Sequence, residues 1–431
     1  SMARALLPAT KSPVASLYLG PIAGAAAVVA GKATTISGVK VMGTRKLQIT
    51  LTGPYAYFLG SLTYPTADVL DKKVMAGTAP VSYLNNNCKG NQGAGPFVFV
   101  CANGSGRNSF YPSGQSAFFK FKPNPNYYGA KPTVDINAPF IADNETNYRL
   151  YQAGSVDTTV VPIADIGHAM TVAGHVKAPE LDTDYITPNQ KMAPFTNENC
   201  RLAIAYAIDR ESIGKSLLKG TESPLYDVIP PGMPNGGQGY FGKISGVPYY
   251  NPTIAKQYLN KCPGKLQNVT MTYQKTSQDL THEYDIIRTE ISAIGGNITL
   301  KPLLFNAWLG IVGQSMQKTK TQITENLWID DYPDAQDWLS QLLQTGANYD
   351  IGGFSNPTYD HLVNLGNVEF NAAKRATDYR KAMMIAVKTG SWIGVGYQSP
   401  VWIVSPKLHN LIYTDGNIYP KNGDWSTVSI G

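Results

Sequence analysis

The first half of the chain carries the hydrophobic patterns of short strands and short helices. Residues 39–60 alternate apolar and polar positions and then break at Gly53-Pro54, which predicts a strand, a turn and an aromatic-led helix. Residues 95–123 are rich in β-formers with Gly and Asn turns between them. Residues 144–154 predict a short helix that ends at a glycine, and a strand is expected at 158–161.

The second half alternates strands with longer helices. Residues 199–219 place their apolar side chains on a helical period, which predicts the clearest helix of the chain, ending at Gly220. Asn-Pro pairs at 251–252 and 356–357 predict two capped helix starts. Further strands are predicted at 269–273, 298–304 and 323–329, and further helices at 283–294 and 372–387. This alternation predicts an α/β lobe with a mostly parallel sheet.

Length and composition narrow the class of protein. A chain of 431 residues exceeds the size at which one hydrophobic core keeps growing, so two or three domains are expected. Its 43% hydrophobic and 15% charged residues are typical of a folded globular protein. The net charge of +6 is spread without any Lys/Arg block, which argues against a nucleic-acid partner.

No signal peptide opens the chain, and no apolar run is long enough to span a bilayer. The segment that most resembles a signal peptide or a membrane span is 17–31 (LYLGPIAGAAAVVAG). Because it carries Pro21 and several glycines, we predict a buried helix of small residues instead. Ser1-Met2 is typical of what remains after tag cleavage, so a native export signal is expected to have been removed.

The four cysteines show no metal-ligand spacing. Cys88 and Cys101 flank a Gly-rich loop and are predicted to form a disulfide in an oxidising compartment. Free buried thiols are the alternative, and they are the prediction for Cys200 and Cys262.

The most informative stretch is 327–334 (LWIDDYPD), in which an apolar strand ends in three carboxylates, two aromatics and a proline. Pro333 cannot continue a central strand, so the acids lie where the backbone leaves the sheet. A carboxylate between aromatic rings suits a ligand that carries a cationic amine on an organic body. The alternative is a surface turn, since Asp and Pro favour turns by their backbone chemistry.

No catalytic or metal constellation emerges from the other residues. Asp331, Asp334 and Asp337 imitate a calcium loop, but its glycine and terminal glutamate are not where they should be. A nucleophile elbow is missing, and no Ser, His and Asp set assembles. We therefore expect no metal, no cofactor and no enzymatic activity, with a hydrolase built on the acid cluster as a remote alternative.

Several segments, taken in order, carry a resemblance to a known family. They are 95–97 (GPF), 124–128 (NPNYY), 151–157 (YQAGSVD), Asn189, 194–195 (PF), 201–210 (RLAIAYAIDR) and 328–334 (WIDDYPD). In this order the chain resembles the extracytoplasmic solute-binding proteins of peptide ABC transporters, family 5, which includes oligopeptide- and dipeptide-binding proteins. The segment 205–210 and the Trp-x-x-Asp motif are the sharpest elements.

The resemblance implies a two-lobed, hinged periplasmic-binding fold of type II, an α/β fold with a small extra domain. It implies a remnant of the small domain at 1–93, a first lobe at 94–187 and 398–431, and a second lobe at 188–397. The crossings between lobes are expected near 183–189 and 397–401. Because the resemblance begins abruptly, the chain is expected to be incomplete at its N-terminus.

The resemblance also implies a ligand site. The aspartate three residues after the Trp of the motif, here Asp331, would pair with the amino terminus of a peptide. Trp328 and Trp308 would form walls of the same cavity, and Tyr332 would add another aromatic face.

The function that follows is capture of a peptide or amine-bearing solute for delivery to the membrane permease of an ABC transporter. A monomer is expected, located in the periplasm or, as an exported lipoprotein, at the cell surface. Because this family also carries sugars, nickel, haem and other solutes, an oligosaccharide or another solute is the first alternative.

Overall fold

The structure is a computed structural model that describes residues 1–72, 94–100, 111–113, 116–139, 141, 143–233, 244–275, 278–414, 417–421 and 423–431. The chain divides into two compact units. The first unit contains Ser1–Val176 and Val401–Gly431, and the second contains Lys177–Pro400. No helix within the described residues is both long and apolar enough to cross a membrane.

The strands, in chain order, are β1 (Val39–Gly43), β2 (Lys46–Ile49), β3 (Phe97–Phe99), β4 (Tyr111–Ser113), β5 (Ser116–Pro123), β6 (Ile136–Pro139), β7 (Thr158–Val160), β8 (His175–Lys177), β9 (Asp182–Pro188), β10 (Glu222–Pro224), β11 (Val269–Gln274), β12 (Ile298–Leu303), β13 (Ile323–Ile329), β14 (Ile393–Gln398), β15 (Val401–Val404), β16 (Leu408–His409), β17 (Leu411–Thr414), β18 (Asn417–Pro420) and β19 (Ser429–Ile430).

The α-helices are α1 (Met2–Leu6), α2 (Ala15–Leu19), α3 (Ala25–Val29), α4 (Phe58–Ser61), α5 (Asn144–Gln152), α6 (Ile166–Ala169), α7 (Glu198–Ala207), α8 (Arg210–Ser212), α9 (Pro252–Lys261), α10 (Gln278–Ala293), α11 (Phe305–Val312), α12 (Met316–Thr319), α13 (Gln336–Leu342), α14 (Pro357–Val368) and α15 (Ala372–Lys388). A π-helix spans Ile213–Leu217, and 3₁₀ turns span Pro8–Thr10, Pro65–Ala67, Ile163–Asp165, Pro263–Leu266 and Trp425–Thr427.

The first unit is built from small sheets and short helices. Strand β5 pairs with β3, β4 and β6, β15 lies between β7 and β8, and β1 and β2 form a hairpin. The segment 17–31 buries Tyr18, Leu19, Ile22, Ala25 and Val28, but its last residues are exposed. The prediction of one continuous helix is wrong, because residues 20–24 separate α2 from α3. Gly24, the residue before α3, adopts φ +85°, a left-handed conformation that favours glycine and interrupts the helix between α2 and α3.

The second unit is organised around a six-stranded sheet in the order β10-β14-β9-β13-β11-β12. Only β11 pairs in parallel, with β12 and β13, and the other three pairs are antiparallel. The prediction of a mostly parallel sheet is therefore wrong. Strand–helix alternation accounts for β11, β12 and β13, whereas β9, β10 and β14 are brought beside them from distant parts of the sequence.

The pairing of β9 also affects the lobe bounds. Because β9 lies between β13 and β14, residues 182–187 belong to the second unit. The predicted bounds, 94–187 with 398–431 and 188–397, differ from the observed division at this point. The predicted second crossing, near 397–401, contains the observed boundary between Pro400 and Val401. The small extra domain at 1–93 stays a prediction.

Helix caps confirm two predicted helix starts. Asn251 accepts a hydrogen bond from the Ile254 N–H at 3.0 Å at the start of α9, and Asn356 accepts from Thr358 and Tyr359 at the start of α14. The predicted helix 199–219 is divided, because Ile208 leaves the helical region with ψ 119°. It continues as α8 and the π-helix.

Cys200 and Cys262 form a disulfide with a Cα–Cα distance of 4.7 Å. The prediction of free thiols at these positions is wrong. Cys200 lies in α7, and Cys262 follows the last residue of α9. The two cysteines are 62 residues apart in the sequence, so their pairing depends on how these two helices pack. Cys88 and Cys101, the predicted bridge, lie outside the described residues.

Helices α13, α14 and α15 cover one face of the six-stranded sheet. Trp338, Tyr359 and Tyr379 are fully buried in this core. Tyr185 of β9 stacks on Trp392 with ring centroids 3.7 Å apart. This core supports the turn that follows β13, where the sequence predicts the ligand site.

Candidate ligand-binding site

The turn after β13 is fastened to the sheet by its backbone. The strand ends at Ile329 as predicted, and its last residue pairs with Asp182 of β9. The N–H of Asp330 then donates to the carbonyl of Leu181 at 3.0 Å. The acidic residues therefore begin at a fixed point on the sheet edge.

The carboxylate of Asp337 fixes this turn by two hydrogen bonds. Its carboxylate, which is fully buried, accepts from the indole Nε1 of Trp328 at 3.0 Å and from the N–H of Asp331 at 2.9 Å. Burial raises the pKa of Asp337 well above its usual range, and the charge of Asp331 adds to that shift. One buried acid thus orients both the motif tryptophan and the backbone of the predicted anchor.

Asp334 is occupied by a protein partner. Arg375 Nη1 and Nη2 bind its two carboxylate oxygens at 2.7 and 2.6 Å, and both side chains are only 4% exposed. Such a bidentate, buried pair leaves no room for a ligand at Asp334. Two of the three acids in the calcium-loop interpretation, Asp334 and Asp337, are thus bound to other groups of the protein.

Asp331 differs from these two acids in its exposure, since its side chain is only half-buried. Trp328 is half-buried too, and its ring lies 5.2 Å from that of Tyr349. Through Asp337, the structure brings together two of the four predicted site residues. A carboxylate and an indole at one sheet edge match the chemistry expected for an organic amine.

Trp308 and Tyr332 are placed in the protein interior. Trp308 packs with Val312, Met316 and Ile351 and donates from Nε1 to the carbonyl of Glu325 at 3.2 Å. Tyr332 is 2% exposed and donates its hydroxyl proton to Gln336 Oε1. These contacts favour a supporting role, and a ligand-binding role for the two residues stays a prediction.

Asp337 is the residue of the site that the sequence does not reveal. Its spacing from Asp331 and Asp334 indicates only an imitation of a calcium loop. Nothing local marks it further, because its two partners lie six and nine residues upstream and meet it only after the chain has turned from β13 into α13.

The sequence family and the fold place this chain among the bacterial solute-binding proteins. The family of bacterial extracellular solute-binding proteins, family 5 (middle region), matches residues 1–350, and the chain belongs to this family. The sequence-based resemblance is therefore confirmed, as is the predicted α/β fold class.

Three individual proteins illustrate the similarity. The probable deoxycholate-binding periplasmic protein YgiS of Escherichia coli is 27% identical over 94% of this chain and 75% of its own length. The dipeptide-binding protein DppE of Bacillus subtilis is 25% identical over 93% of this chain and 72% of its own length. The crystal structure of Haemophilus influenzae OppA in complex with the peptide RPPGFSPFR aligns with a TM-score of 0.79 at 19% identity, over 100% of this chain and 82% of that one.

Proposed function

We propose that this protein captures a peptide, or a similar solute with a free amine, and delivers it to the permease of an ABC transporter. The observation that carries this proposal is Asp331, whose carboxylate is half-buried. The Asp337 carboxylate accepts hydrogen bonds from the backbone N–H of Asp331 and from the indole of Trp328, so it fixes both residues. An α-ammonium group would form a charge-assisted hydrogen bond with Asp331. Main-chain hydrogen bonds would add affinity with little regard to peptide sequence.

The relatives support a peptide ligand. DppE is named a dipeptide-binding protein, and the OppA structure holds a nine-residue peptide. We extend this ligand class to the present chain because the Trp-x-x-Asp motif is placed and held at the sheet edge. Trp328 would contact the body of the ligand beside Asp331.

The proposal also covers location and assembly. The family is described as extracellular, and the Cys200–Cys262 disulfide suits an oxidising compartment. We propose an exported monomer in the periplasm or at the cell surface that binds its ligand without transforming it. Turnover of any peptide or glycoside by the purified chain would contradict this part.

A second candidate is a solute other than a peptide, because YgiS is named a probable deoxycholate-binding protein. An oligosaccharide or steroid acid would depend on Trp328 for stacking, and Asp331 would hydrogen-bond a hydroxyl group. Binding of such a ligand would not require an amino group on the ligand. The two candidates therefore differ in one measurable property.

The test is calorimetric titration of di- to pentapeptides, each with a free and with an acetylated amino terminus, beside oligosaccharides and deoxycholate. We expect acetylation and Asp331→Asn each to weaken peptide binding by about 2–5 kcal/mol. The two changes should not add, because they remove the same contact. The matched control is Asp330→Asn, which removes the neighbouring charge and should leave affinity nearly unchanged.

Unchanged affinity in Asp331→Asn would remove Asp331 from the site. Binding of deoxycholate or an oligosaccharide, with no response to any peptide, would establish the second candidate instead.

A further inference from the structure

One face of the six-stranded sheet carries an unusual set of acids. Alternate residues of a strand point to opposite faces. Thr183 and Tyr185 of β9 therefore face the core formed with helices α13–α15, and Asp182 and Asp184 face the other way. The hydroxyl of Tyr284, from α10, donates to Asp184 Oδ1 at 3.3 Å, so α10 covers this second face.

Three carboxylates converge beneath α10. Asp184 of β9, Glu222 of β10 and Glu283 of α10 each offer one oxygen, and these oxygens lie within 4.8 Å of one another. The three residues are only 3%, 7% and 1% exposed. None of the ion pairs found among the described residues involves any of them.

Two buried carboxylate oxygens at this face lack any hydrogen-bond partner. They are Oε1 of Glu283, which belongs to the group, and Oδ2 of Asp182, two residues before Asp184 on the same face. Their residues are 1% and 0% exposed. A buried carboxylate oxygen without a partner is unfavourable, so these two atoms are free to accept a positive ligand.

Gly396 of β14 makes room for one of the three acids. A Cβ atom at Gly396 would overlap Oε1 of Glu222, far closer than any real contact allows. The glycine thus leaves a recess that the Glu222 carboxylate fills. The acid is held toward the group by the shape of the sheet rather than by an opposite charge.

We propose that Asp184, Glu222 and Glu283 bind a divalent, oxygen-preferring cation, with Ca²⁺ preferred. Ca²⁺ binds carboxylate oxygens at about 2.3–2.6 Å, so oxygens on opposite sides of the ion lie up to about 5 Å apart. Mg²⁺ requires about 2.0–2.1 Å and retains several waters, which suits a buried group of this spacing less well. The ion would join β9, β10 and α10.

The three acids are different residues from those of the proposed peptide site, and this inference does not rest on the proposed function. The competing explanation is that the acids hold protons instead of a cation. Burial raises the pKa of Asp184 and Glu283 well above the usual range and that of Glu222 to about 7. If a cation binds, it displaces those protons and stabilises the protein. If the acids only hold protons, added metal has no effect.

The test uses the whole 431-residue chain after dialysis against a chelator and removal of the chelator. Its metal content is measured by mass spectrometry, CaCl₂ and MgCl₂ are titrated by calorimetry, and thermal unfolding is followed with each. We expect one Ca²⁺ per chain, weaker binding of Mg²⁺ and a Tm that rises with Ca²⁺. Glu283→Gln should lower Ca²⁺ affinity by more than about tenfold.

The matched control is Asp285→Asn, which removes an exposed acid from the same helix and should keep the full Ca²⁺ response. If Glu283→Gln fails to fold, Glu222→Gln and the wild-type stoichiometry decide the question. Absence of bound metal together with no wild-type response to millimolar Ca²⁺ would overturn the proposal. So would a Glu283→Gln variant that binds Ca²⁺ as the wild type does.

Discussion

Replacement of Asp334 by alanine tests whether the acidic turn is supported by its buried ion pair. The variant leaves the Arg375 guanidinium, bound at 2.6 and 2.7 Å in the native protein, without its counter-charge in a site that is 4% exposed. Breaking a buried pair in this way costs about 3–5 kcal/mol. The Gln336 N–H, 2.9 Å from Asp334 Oδ1, also loses its acceptor, which adds about 1 kcal/mol.

Part of this cost is offset. Arg375 keeps its hydrogen bonds to the carbonyl of Gly366 and the hydroxyl of Tyr379, both at 2.9 Å. The expected net loss in the free energy of unfolding is therefore about 3–5 kcal/mol rather than more. It should appear in the urea transition of the second unit, followed by tryptophan fluorescence.

Two further variants make the experiment decisive. Asp378→Ala removes the acid of an exposed pair with Lys381 on the same helix as Arg375, with its charges 3.6 Å apart, and should cost less than about 1 kcal/mol. The double variant Asp334→Ala with Arg375→Met removes both buried charges and should recover most of the loss. A loss below about 1 kcal/mol in Asp334→Ala, or a double variant as unstable as the single one, would refute the reasoning.

Three other predictions concern stability. Replacing Cys200 and Cys262 by serine should lower the free energy of unfolding by about 2–4 kcal/mol, and a peptide map without a Cys200–Cys262 link would contradict the bridge. Burial raises the pKa of Glu180 to about 7, so Glu180 should contribute a loss of up to about 3 kcal/mol in the free energy of unfolding as pH rises from about 4.5 to 7. Glu180→Gln should remove this contribution and flatten the pH dependence by that amount, and a pH profile of urea unfolding identical to that of the wild type would contradict the assignment. Gly366→Ala should lower the free energy of unfolding by about 1–3 kcal/mol, because its Cβ would overlap the buried ring of Tyr379. Gly310 has open space around it, so Gly310→Ala should not destabilise the protein in the same urea assay.

The fold could be predicted where the information is local. The strand Ile323–Ile329 and the caps at Asn251 and Asn356 follow from neighbouring residues, and all three are confirmed. The order of the sheet could not be predicted in this way, because β9, β10 and β14 come together from distant positions. The disulfide between Cys200 and Cys262 could not be predicted for the same reason.

The candidate site was predictable only in part. The run of acids after a strand, together with the family resemblance, is enough to mark Trp328 and Asp331 from the sequence alone. The run of acids alone does not separate Asp331 from Asp334 and Asp337, and only the position in the family motif does so. The physical difference between them depends on Arg375, which lies 41 residues beyond Asp334, and on the path of the turn.

The buried acids of the second unit are best distinguished by what stabilises each carboxylate. Asp334 has a guanidinium, and Asp337 has two N–H donors to its Oδ2, although its buried Oδ1 has no hydrogen-bond partner. The three acids beneath α10 include one unpartnered oxygen, with a single tyrosine hydroxyl as the donor to Asp184. Asp331, like its neighbour Asp330, is half-exposed, and it is the one that the family motif places three residues after Trp328. This criterion favours support of the fold for the first two acids, and it underlies our proposals of cation binding by the group beneath α10 and of solute recognition by Asp331.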